Sequence, residues 1–317
     1  MATTRLGRTG LDVSVAGLGC GGHSRLGLGQ NKSYGNALAI LSQAIGHGVT
    51  FIDTAQVYGT EQAVGEAVRG RREHVVISTK GQIIAPGTSA LGQDYCSGAH
   101  LRQGVEDSLR RLGTDYIDIF HLHGVMPTQY QPCRDRFVPV LEDLRREGKI
   151  RFFGLTERFI HDPGHDMLQM ALGDPHWDVI MVGFNMINQS ARGRILPLAE
   201  QNGCGVLCMF AVRNFLSSKQ AAAGLIARLI ENKLLDRSLD PDTVFDFLTG
   251  PDGAQSLIEA AYRFCRHELG IDVVLTGTGN PDHLAANLAH LARPALPGAM
   301  RDRLVELFGH IDQVSGE

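Results

Sequence analysis

The stretch VTFIDTAQVYG, residues 49–59, decides the fold because its character changes abruptly at one position. Residues 49–52 are apolar or β-branched, as in a buried strand, and the strand then ends on a carboxylate, Asp53. A phenol, Tyr58, follows in the next loop. A buried strand that ends on an acid is typical of α/β proteins, which place their chemistry at the carboxyl ends of parallel strands.

Apolar strand-like segments alternate with helical patterns along the whole chain. The segments are continuously apolar, as strands covered by helices on both faces are. Eight of them in 317 residues predict one domain over 1–317, an α/β fold of the (β/α)8 TIM-barrel type. An open doubly wound sheet is the alternative, but its glycine fingerprint is echoed only loosely by GLGCGG at 17–22. The predicted strands are 13–19, 49–53, 74–80, 116–123, 150–156, 177–185, 205–212 and 272–279.

Two segments lie outside this alternation. TRLGRTGLDV, residues 4–13, has a glycine-centred turn between two short β-type pieces, which predicts an N-terminal β-hairpin across the bottom of the barrel. Residues 217–250 form a long charged insertion after strand seven, as functional loops often do. We expect the loop 125–136 after strand four, which precedes a predicted helix at 137–149, the loop 212–250 after strand seven and the C-terminal tail 294–317 to set the size of the substrate.

Composition narrows the class of protein. The formal net charge is -4, which gives no electrostatic reason to expect nucleic acid or an anionic membrane as a partner. No apolar run approaches the roughly 18 residues of a membrane span, and MATTRLGRTG has no apolar signal core, so we expect a cytoplasmic protein. The six cysteines form no CxxC pair, and unpaired buried thiols are expected rather than a metal site or disulfides.

The predicted strand ends carry an unusual set of polar residues. Asp53 and Tyr58 belong to strand two, Lys80 ends strand three, and strand four ends in FHLHG with His121 and His123. Because side chains alternate along a strand, one of the two histidines is expected to point away from the mouth. Each residue alone has an ordinary structural explanation. Together they form an acid–base device, in which an ammonium lowers the pKa of a phenol that exchanges a proton with a carbonyl or alcohol.

Six motifs in chain order resemble those of the aldo-keto reductase family. They are RLGRTGLDVSVAGLGCGG (5–22), FIDTAQVYG (51–59), VVISTKG (75–81), LGTDYIDIFHLHG (112–124), LEDLRREGKIRFFGLTE (141–157) and VLTGTGNPDHLAANL (274–288). The resemblance implies a barrel with a nicotinamide cofactor lying across its mouth. It also implies a catalytic tetrad of Asp53, Tyr58, Lys80 and His123, in which Asp53 holds Lys80 and Lys80 makes Tyr58 a usable acid.

The cofactor positions depart in part from the family pattern. Thr156 and Glu157 stand where Ser-Asn is common, Met181 replaces a glutamine, and Met209 replaces a tyrosine that stacks on the nicotinamide, with Phe210 beside it. The full set implied by the resemblance, with Arg213 as a cation from the inserted loop, is Gly19, Cys20, Asp53, Thr156, Glu157, Met181, Met209, Phe210, Arg213, Gly277, Thr278, Gly279, His283 and Asn287.

The sequence leaves several questions open. Gly277 and Gly279 stand where the family commonly has a cation for the 2′-phosphate, so NADP(H) and NAD(H) both remain. The substrate is expected to be a small carbonyl compound or alcohol, with features nearest to sugar- and pyridoxal-oxidising branches, and the direction is open. A non-catalytic, redox-sensing cofactor-binding subunit is one alternative; a metal-dependent hydrolase using the His-x-His pair is another. Oligomeric state is not predicted.

Overall fold

The computed structural model describes residues 1–316, and an eight-stranded parallel barrel forms its centre. The strands of this part of the chain are β1 (Thr3–Arg5), β2 (Asp12–Ser14), β3 (Ala16–Gly19), β4 (Phe51–Asp53), β5 (Val76–Gln82), β6 (Ile117–Val125), β7 (Ile150–Glu157), β8 (Val179–Gly183), β9 (Gly205–Met209) and β10 (Val273–Thr276).

Helices cover the outside of the barrel and follow the strands along the chain. Serine side chains at the N-caps of four of the longer helices accept a backbone N–H from the first turn, which fixes where those helices begin. The helices are α1 (Tyr34–Gly46), α2 (Glu61–Ala67), α3 (Gly98–Leu112), α4 (Pro127–Arg146), α5 (Asp166–Ala171), α6 (Ala191–Arg194), α7 (Leu196–Gln201), α8 (Lys219–Glu231), α9 (Leu257–Arg266), α10 (Pro281–Leu291) and α11 (Gly298–Phe308).

The barrel runs from β3 to β10 in chain order and closes by parallel pairing of β10 with β3. This confirms the (β/α)8 prediction, and the open doubly wound alternative is wrong. The register decides which side chains meet at the mouth: Asp53 lies beside Ser78, and Lys80 lies beside His121. The polar ends of neighbouring strands are therefore brought to one level.

The predicted hairpin is present as β1 and β2, which pair antiparallel. Leu6, Leu11 and Val13 of this hairpin are buried against the residues at the N-terminal ends of the barrel strands, among them Phe51 and Val273. The hairpin thus closes the bottom of the barrel with apolar side chains, and the opposite end stays open.

The segment 125–136, predicted as a loop, is largely helical. The helix α4 starts at Pro127, ten residues before the predicted start at residue 137, and contains Pro132 and Pro139 in its interior. Proline fits the first position of a helix, where its missing N–H costs nothing. The side chain of Gln129 accepts the Met126 N–H, which completes the helix start. Pro132, in the part of α4 that was predicted as a loop, is a residue that usually ends a helix.

The predicted loop 212–250 and the C-terminal tail also contain helices. Residues 212–250 include α8, and 294–317 include α11 within the part that the structure describes. All six cysteines are buried and unpaired, which confirms the prediction of structural thiols. No helix in residues 1–316 is long and apolar enough to cross a membrane.

Candidate active site

An ion pair at the mouth of the barrel joins two neighbouring strands. The Nζ atom of Lys80 on β5 lies 2.6 Å from Oδ2 of Asp53, the last residue of β4. The ammonium also donates to the Thr54 carbonyl at 2.8 Å, and Ser78 donates to the other carboxylate oxygen of Asp53 at 2.8 Å. Both partners are buried, so the pair is fixed in position and screened little by water.

Tyr58 and His123 lie directly above this ion pair. The Tyr58 hydroxyl is 3.4 Å from Nε2 of His123, and the Lys80 ammonium is 5.1 Å from the centroid of the Tyr58 ring. Gly21 makes room for this ring, because a Cβ at that position would lie 2.4 Å from a ring carbon of Tyr58. The four residues of the predicted tetrad therefore meet at one place.

Burial controls the protonation of these groups. It raises the pKa of Tyr58, and the nearby charge of Lys80 opposes that rise without overcoming it. The expected lowering of the phenol pKa is therefore outweighed by desolvation. Burial alone would lower the pKa of Lys80, but the Asp53 carboxylate reverses this and the pKa is raised. Burial, reinforced by Lys80, lowers the pKa of His123 to about 3, so this imidazole is neutral.

The prediction that one of the two histidines of HLH points away from the mouth is wrong. Residues two apart on a strand share a face, and both histidines point into the barrel. His121 lies beside Lys80 in the register, one layer deeper than His123, and is completely buried. Burial and the Lys80 charge hold the pKa of His121 well below its usual range, so it is neutral too.

Two cavities meet at Tyr58. The first, which we call the groove, has a volume of about 900 Å³ and runs between Gly19 and Gly277 and along the residues that follow β9. The second, the inner pocket, has a volume of about 390 Å³ and is lined by Lys80 and His123. They share Tyr58, Ile160, Met181, Met209 and Phe210. The tetrad thus stands where an occupant of one cavity meets an occupant of the other.

The groove fits the nicotinamide cofactor that the sequence implied. Its volume lies within the roughly 300–1,000 Å³ of small-molecule and cofactor sites. One end is apolar, and the other lies at the N-terminus of α10, where the positive end of the helix dipole favours phosphate. Predicted cofactor residues that line the groove are Gly19, Asp53, Met181, Met209, Phe210, Arg213, Gly277, Thr278, Gly279 and His283.

Four other predicted cofactor residues have different contacts. The Cys20 side chain is fully buried, and the Asn287 amide donates to the Thr276 hydroxyl at 3.0 Å; neither lines the groove. The Thr156 hydroxyl accepts the Gly124 N–H at 2.8 Å in the inner pocket. The Glu157 carboxylate is buried, lies 2.9 Å from Nδ1 of His165 and accepts the Gly183 N–H. The Glu157 carboxylate is therefore already engaged by groups within the protein.

The walls of the inner pocket come from unexpected loops. They are built by residues 83–90 after β5 and 158–161 after β7, whereas none of its lining residues belongs to 125–136 or to the described part of 294–317. The segment after β9 contributes Phe210 to the pocket and residues 211–214 to the groove. Two cations that sequence reasoning missed, Lys32 and Arg158, line the groove and the inner pocket respectively.

The sequence indicates the position of one of these two cations but not that of the other. Arg158 follows directly after the strand end at Glu157, so its place beside the mouth can be inferred from the sequence. Lys32 lies in the long loop after β3, and its Nζ donates to the Gly279 carbonyl at 2.7 Å. No local signal in the sequence indicates that this loop reaches across to the residues after β10.

Other potential sites do not involve the tetrad. Within residues 1–316, no group of three or more His, Cys, Asp or Glu side chains is arranged to hold a metal ion. A cavity of about 730 Å³ between α2 and α3 lies on the outer wall, and none of the tetrad residues lines it.

The chain is similar in sequence and in fold to known oxidoreductases. Two proteins of Bacillus subtilis (strain 168) are each 28% identical to the chain: the uncharacterized oxidoreductase YqkF over 299 residues (91% of this chain, 90% of that protein), and the aldo-keto reductase YhdN over 303 residues (90% and 87%). The holo form of aldo-keto reductase AKR11C1 from Bacillus halodurans has the same fold, with a TM-score of 0.74, 23% identity and complete coverage of both chains.

An aldo/keto reductase from Klebsiella pneumoniae, solved in complex with NADP and acetate, also shares the fold, with a TM-score of 0.64 and 24% identity over 98% of this chain and 97% of that one. The model of the aldo/keto reductase family matches residues 18–307. The chain therefore belongs to the aldo/keto reductase family.

Proposed function

We propose that this protein transfers a hydride between a nicotinamide cofactor in the groove and a carbonyl compound or alcohol in the inner pocket, with Tyr58 as general acid and base. Aldo-keto reductases use nicotinamide cofactors and are oxidoreductases. One observation carries the proposal: the Tyr58 hydroxyl lies 3.4 Å from His123 Nε2, beside the Lys80–Asp53 ion pair and at the junction of the two cavities.

The tetrad supplies the proton that carbonyl reduction requires. When bound, the reduced nicotinamide supplies a hydride to the carbonyl carbon. Tyr58, whose raised pKa keeps it protonated at neutral pH, donates its hydroxyl proton to the carbonyl oxygen. The Lys80 ammonium stabilises the phenolate that remains, and Asp53 keeps Lys80 charged and in place. His123 is neutral and orients the carbonyl oxygen by hydrogen bonding.

Different residues of the groove would bind different parts of the cofactor. Met181 and Met209, at the junction with the inner pocket, would pack on the nicotinamide ring through their polarizable sulfur atoms. The backbone of residues 277–280 and the start of α10 would hold the phosphates. Lys32 lies against Gly279, in the region where the family pattern has its 2′-phosphate cation. We therefore propose a preference for NADP(H), with Lys32 replacing a cation of the strand-eight segment.

Tyr58→Phe tests the acid–base role. Carbonyl reduction should fall by about 10²- to 10⁴-fold, the range of general acid catalysis, with little change in cofactor affinity. Binding is measured by calorimetry, because Trp177, the single tryptophan, is buried and lines neither cavity. Near-normal turnover in the variant would disprove the role of Tyr58. Cofactor binding without turnover in the unmodified protein would favour the redox-sensing alternative.

Lys32→Ala tests the cofactor preference. Loss of a charged contact to the 2′-phosphate should lower the affinity for NADPH about tenfold and leave that for NADH unchanged. Lys233→Ala, at an exposed lysine that does not line the groove, is the matched control. Equal losses for the two coenzymes, or no loss, would exclude Lys32 as the 2′-phosphate contact.

A further inference from the structure

Arg158 is the first residue after β7, and its side chain lies on the wall of the inner pocket beside Gly124. A Cβ at Gly124 would be 3.2 Å from Nε and 3.3 Å from Cζ of the arginine. Gly124 directly follows His123, so the guanidinium group is close to the Tyr58–His123 pair. Its charge acts on His123, where it contributes to the low pKa of the imidazole.

The backbone under Arg158 has an irregular shape. Gly124 has a φ of +66°, and the pairing of β6 with β7 shifts register between Leu122 and Val125. The Thr156 hydroxyl fixes the bulge by accepting the Gly124 N–H. Glycine at this position provides both the left-handed backbone and the space that the guanidinium occupies. The arginine is therefore held over the pocket by its surroundings.

Arg158 has no acidic partner among the residues that the structure describes. Its Nε atom is buried and makes no hydrogen bond. Burial lowers the pKa of Arg158 and is the single cause of that shift, so no carboxylate lies near enough to oppose it. A buried donor without a partner costs free energy that a bound acceptor would recover.

The other charges of the inner pocket are already matched. Asp53 pairs with Lys80, and Glu157 pairs with His165. Among the residues that line the pocket, Glu157 is the single acid, and its carboxylate is turned away and fully buried. The empty part of the pocket therefore has a positive charge on one wall and apolar side chains, such as Ile83 and Ile84, on another.

We propose that Arg158 binds an anionic group of the substrate, so that the substrate is a short aldehyde or ketone, or the matching alcohol, with a carboxylate or a phosphate ester a few atoms from the reacting carbon. The inference rests on the function proposed above and adds a substrate class to it. A guanidinium suits both anions, because it donates two parallel hydrogen bonds to carboxylate and phosphate oxygens. Arg158 acts in specificity, since proton transfer remains with Tyr58.

Matched aldehydes test this substrate class. The protein is assayed with both coenzymes on succinic semialdehyde against butanal, and on glyceraldehyde 3-phosphate against glyceraldehyde. We expect kcat/KM to be about 10- to 100-fold higher for the anionic member of at least one pair, mainly through KM. Preference within the first pair identifies a carboxylate, and preference within the second identifies a phosphate ester.

Variants connect the preference to Arg158. Arg158→Gln should reduce the preference to near one, with activity on the neutral aldehydes kept. Arg158→Lys should keep part of it, because lysine retains the charge without the planar pair of donors. Arg146→Gln removes an exposed arginine far from the pocket and should leave the preference unchanged. Thermal melting of each variant verifies that it is folded.

The outcomes separate this inference from the proposed function. Equal kcat/KM for both members of both pairs, or an unchanged preference in Arg158→Gln, would overturn the anion site while reduction of neutral aldehydes upheld the function. Calorimetry with 4-hydroxybutyrate against 1-butanol provides a readout without turnover. If no aldehyde is reduced but 4-hydroxybutyrate binds and Arg158→Gln abolishes that binding, the proposed function fails and the anion site stands. If no aldehyde is reduced and 4-hydroxybutyrate does not bind, both the proposed function and the anion site are rejected.

Discussion

The two ends of the barrel differ in how their buried polar groups are hydrogen-bonded. At the bottom, Asp118 accepts hydrogen bonds from Arg72 at 2.7 Å, from Arg151 at 2.8 Å and from the Ile77 N–H at 2.9 Å. At the mouth, both ring nitrogens of His121 and the Nε atom of Arg158 are buried without a hydrogen-bond partner. The Asp118 carboxylate is thus fully paired, whereas the Nε atom of Arg158, on the wall of the inner pocket, retains capacity for a hydrogen bond with an occupant of that pocket.

One strand contains both situations. Asp118 lies near the start of β6, and His121 and His123 lie near its end, a few residues further on. Asp118 lies near the end of the barrel that the hairpin closes, and it has a structural role. His121 and His123 lie near the open end, at the candidate active site. Substitutions at the two ends of the barrel test this contrast.

Lys80→Met should affect both activity and stability. Reduction should fall at least about 100-fold, because the phenolate of Tyr58 loses its stabilising cation. The free energy of unfolding should also fall by about 3–5 kcal/mol, since Asp53 stays buried without its partner. Denaturant titration and steady-state kinetics measure the two effects. Adding Asp53→Asn should restore much of the stability and none of the activity; recovery of activity would contradict the assignment.

Asp118→Ala should affect stability alone. It leaves the Ile77 N–H and two arginines without their shared acceptor, which should cost about 2–4 kcal/mol in the free energy of unfolding. At temperatures where the variant is folded, kcat and KM should match those of the unmodified protein. A large drop in kcat in the folded variant would show that the two ends of the barrel are coupled.

Gly21→Ala should reduce activity with little loss of stability. The added methyl group would lie 2.4 Å from the Tyr58 ring and displace the hydroxyl from His123. We expect kcat to fall about 10- to 100-fold, because small displacements of catalytic groups are costly. Gly46→Ala, where a Cβ meets nothing within 4 Å, is the matched control and should leave kcat unchanged. Unchanged kcat in Gly21→Ala would show that the ring tolerates displacement.

Asp272→Asn should increase stability at neutral pH. Burial raises the pKa of Asp272 to about 6 from 3.8, although the carboxylate accepts the Val206 N–H. The native state then binds more protons than the unfolded state between about pH 4 and 6, so the free energy of unfolding decreases as pH rises through this window. Asparagine keeps the acceptor without the charge.

The expected gain in this variant at pH 7 is about 1 kcal/mol, after allowance for the exposed part of the side chain, and the slope between pH 4 and 6 should flatten. Chemical denaturation at several pH values measures both quantities. A variant less stable than the unmodified protein at pH 7 would show that the carboxylate is favourable at this position.

The barrel was predictable because its signals are local. Apolar runs such as VTFID (49–53) and HVVISTK (74–80) predict strands, and the polar residues at their ends, Asp53 and Lys80, indicate the site. The hairpin followed from a glycine turn between β-type residues. The first half of α4 is not evident from the sequence because it contains Pro132, a residue that usually ends a helix, and here burial of Tyr130 and Phe137 overrides that preference.

The parts of the site that the sequence did not reveal depend on contacts between distant segments. Glu157 pairs with His165 because the chain after β7 folds back, and Lys32 reaches Gly279 across the mouth. The net effect on the pKa of Tyr58 needed the actual burial of the ring, since residue types give only the sign of the Lys80 contribution. The inward direction of His121, by contrast, follows from the sequence, because residues two apart on a strand share a face.

The closure of the barrel by β3 and β10 has a consequence for biosynthesis. Ala16 pairs beside Val274, so β3, the first barrel strand to be synthesised, waits for β10, the last strand, to pair with its second edge. At ribosomal rates of about 5–20 residues per second, the interval is roughly 10–50 seconds. Throughout that time one edge of β3 is unpaired and open to other extended chains. The edge of β3 that closes the finished barrel is thus also an edge open to misassembly during synthesis.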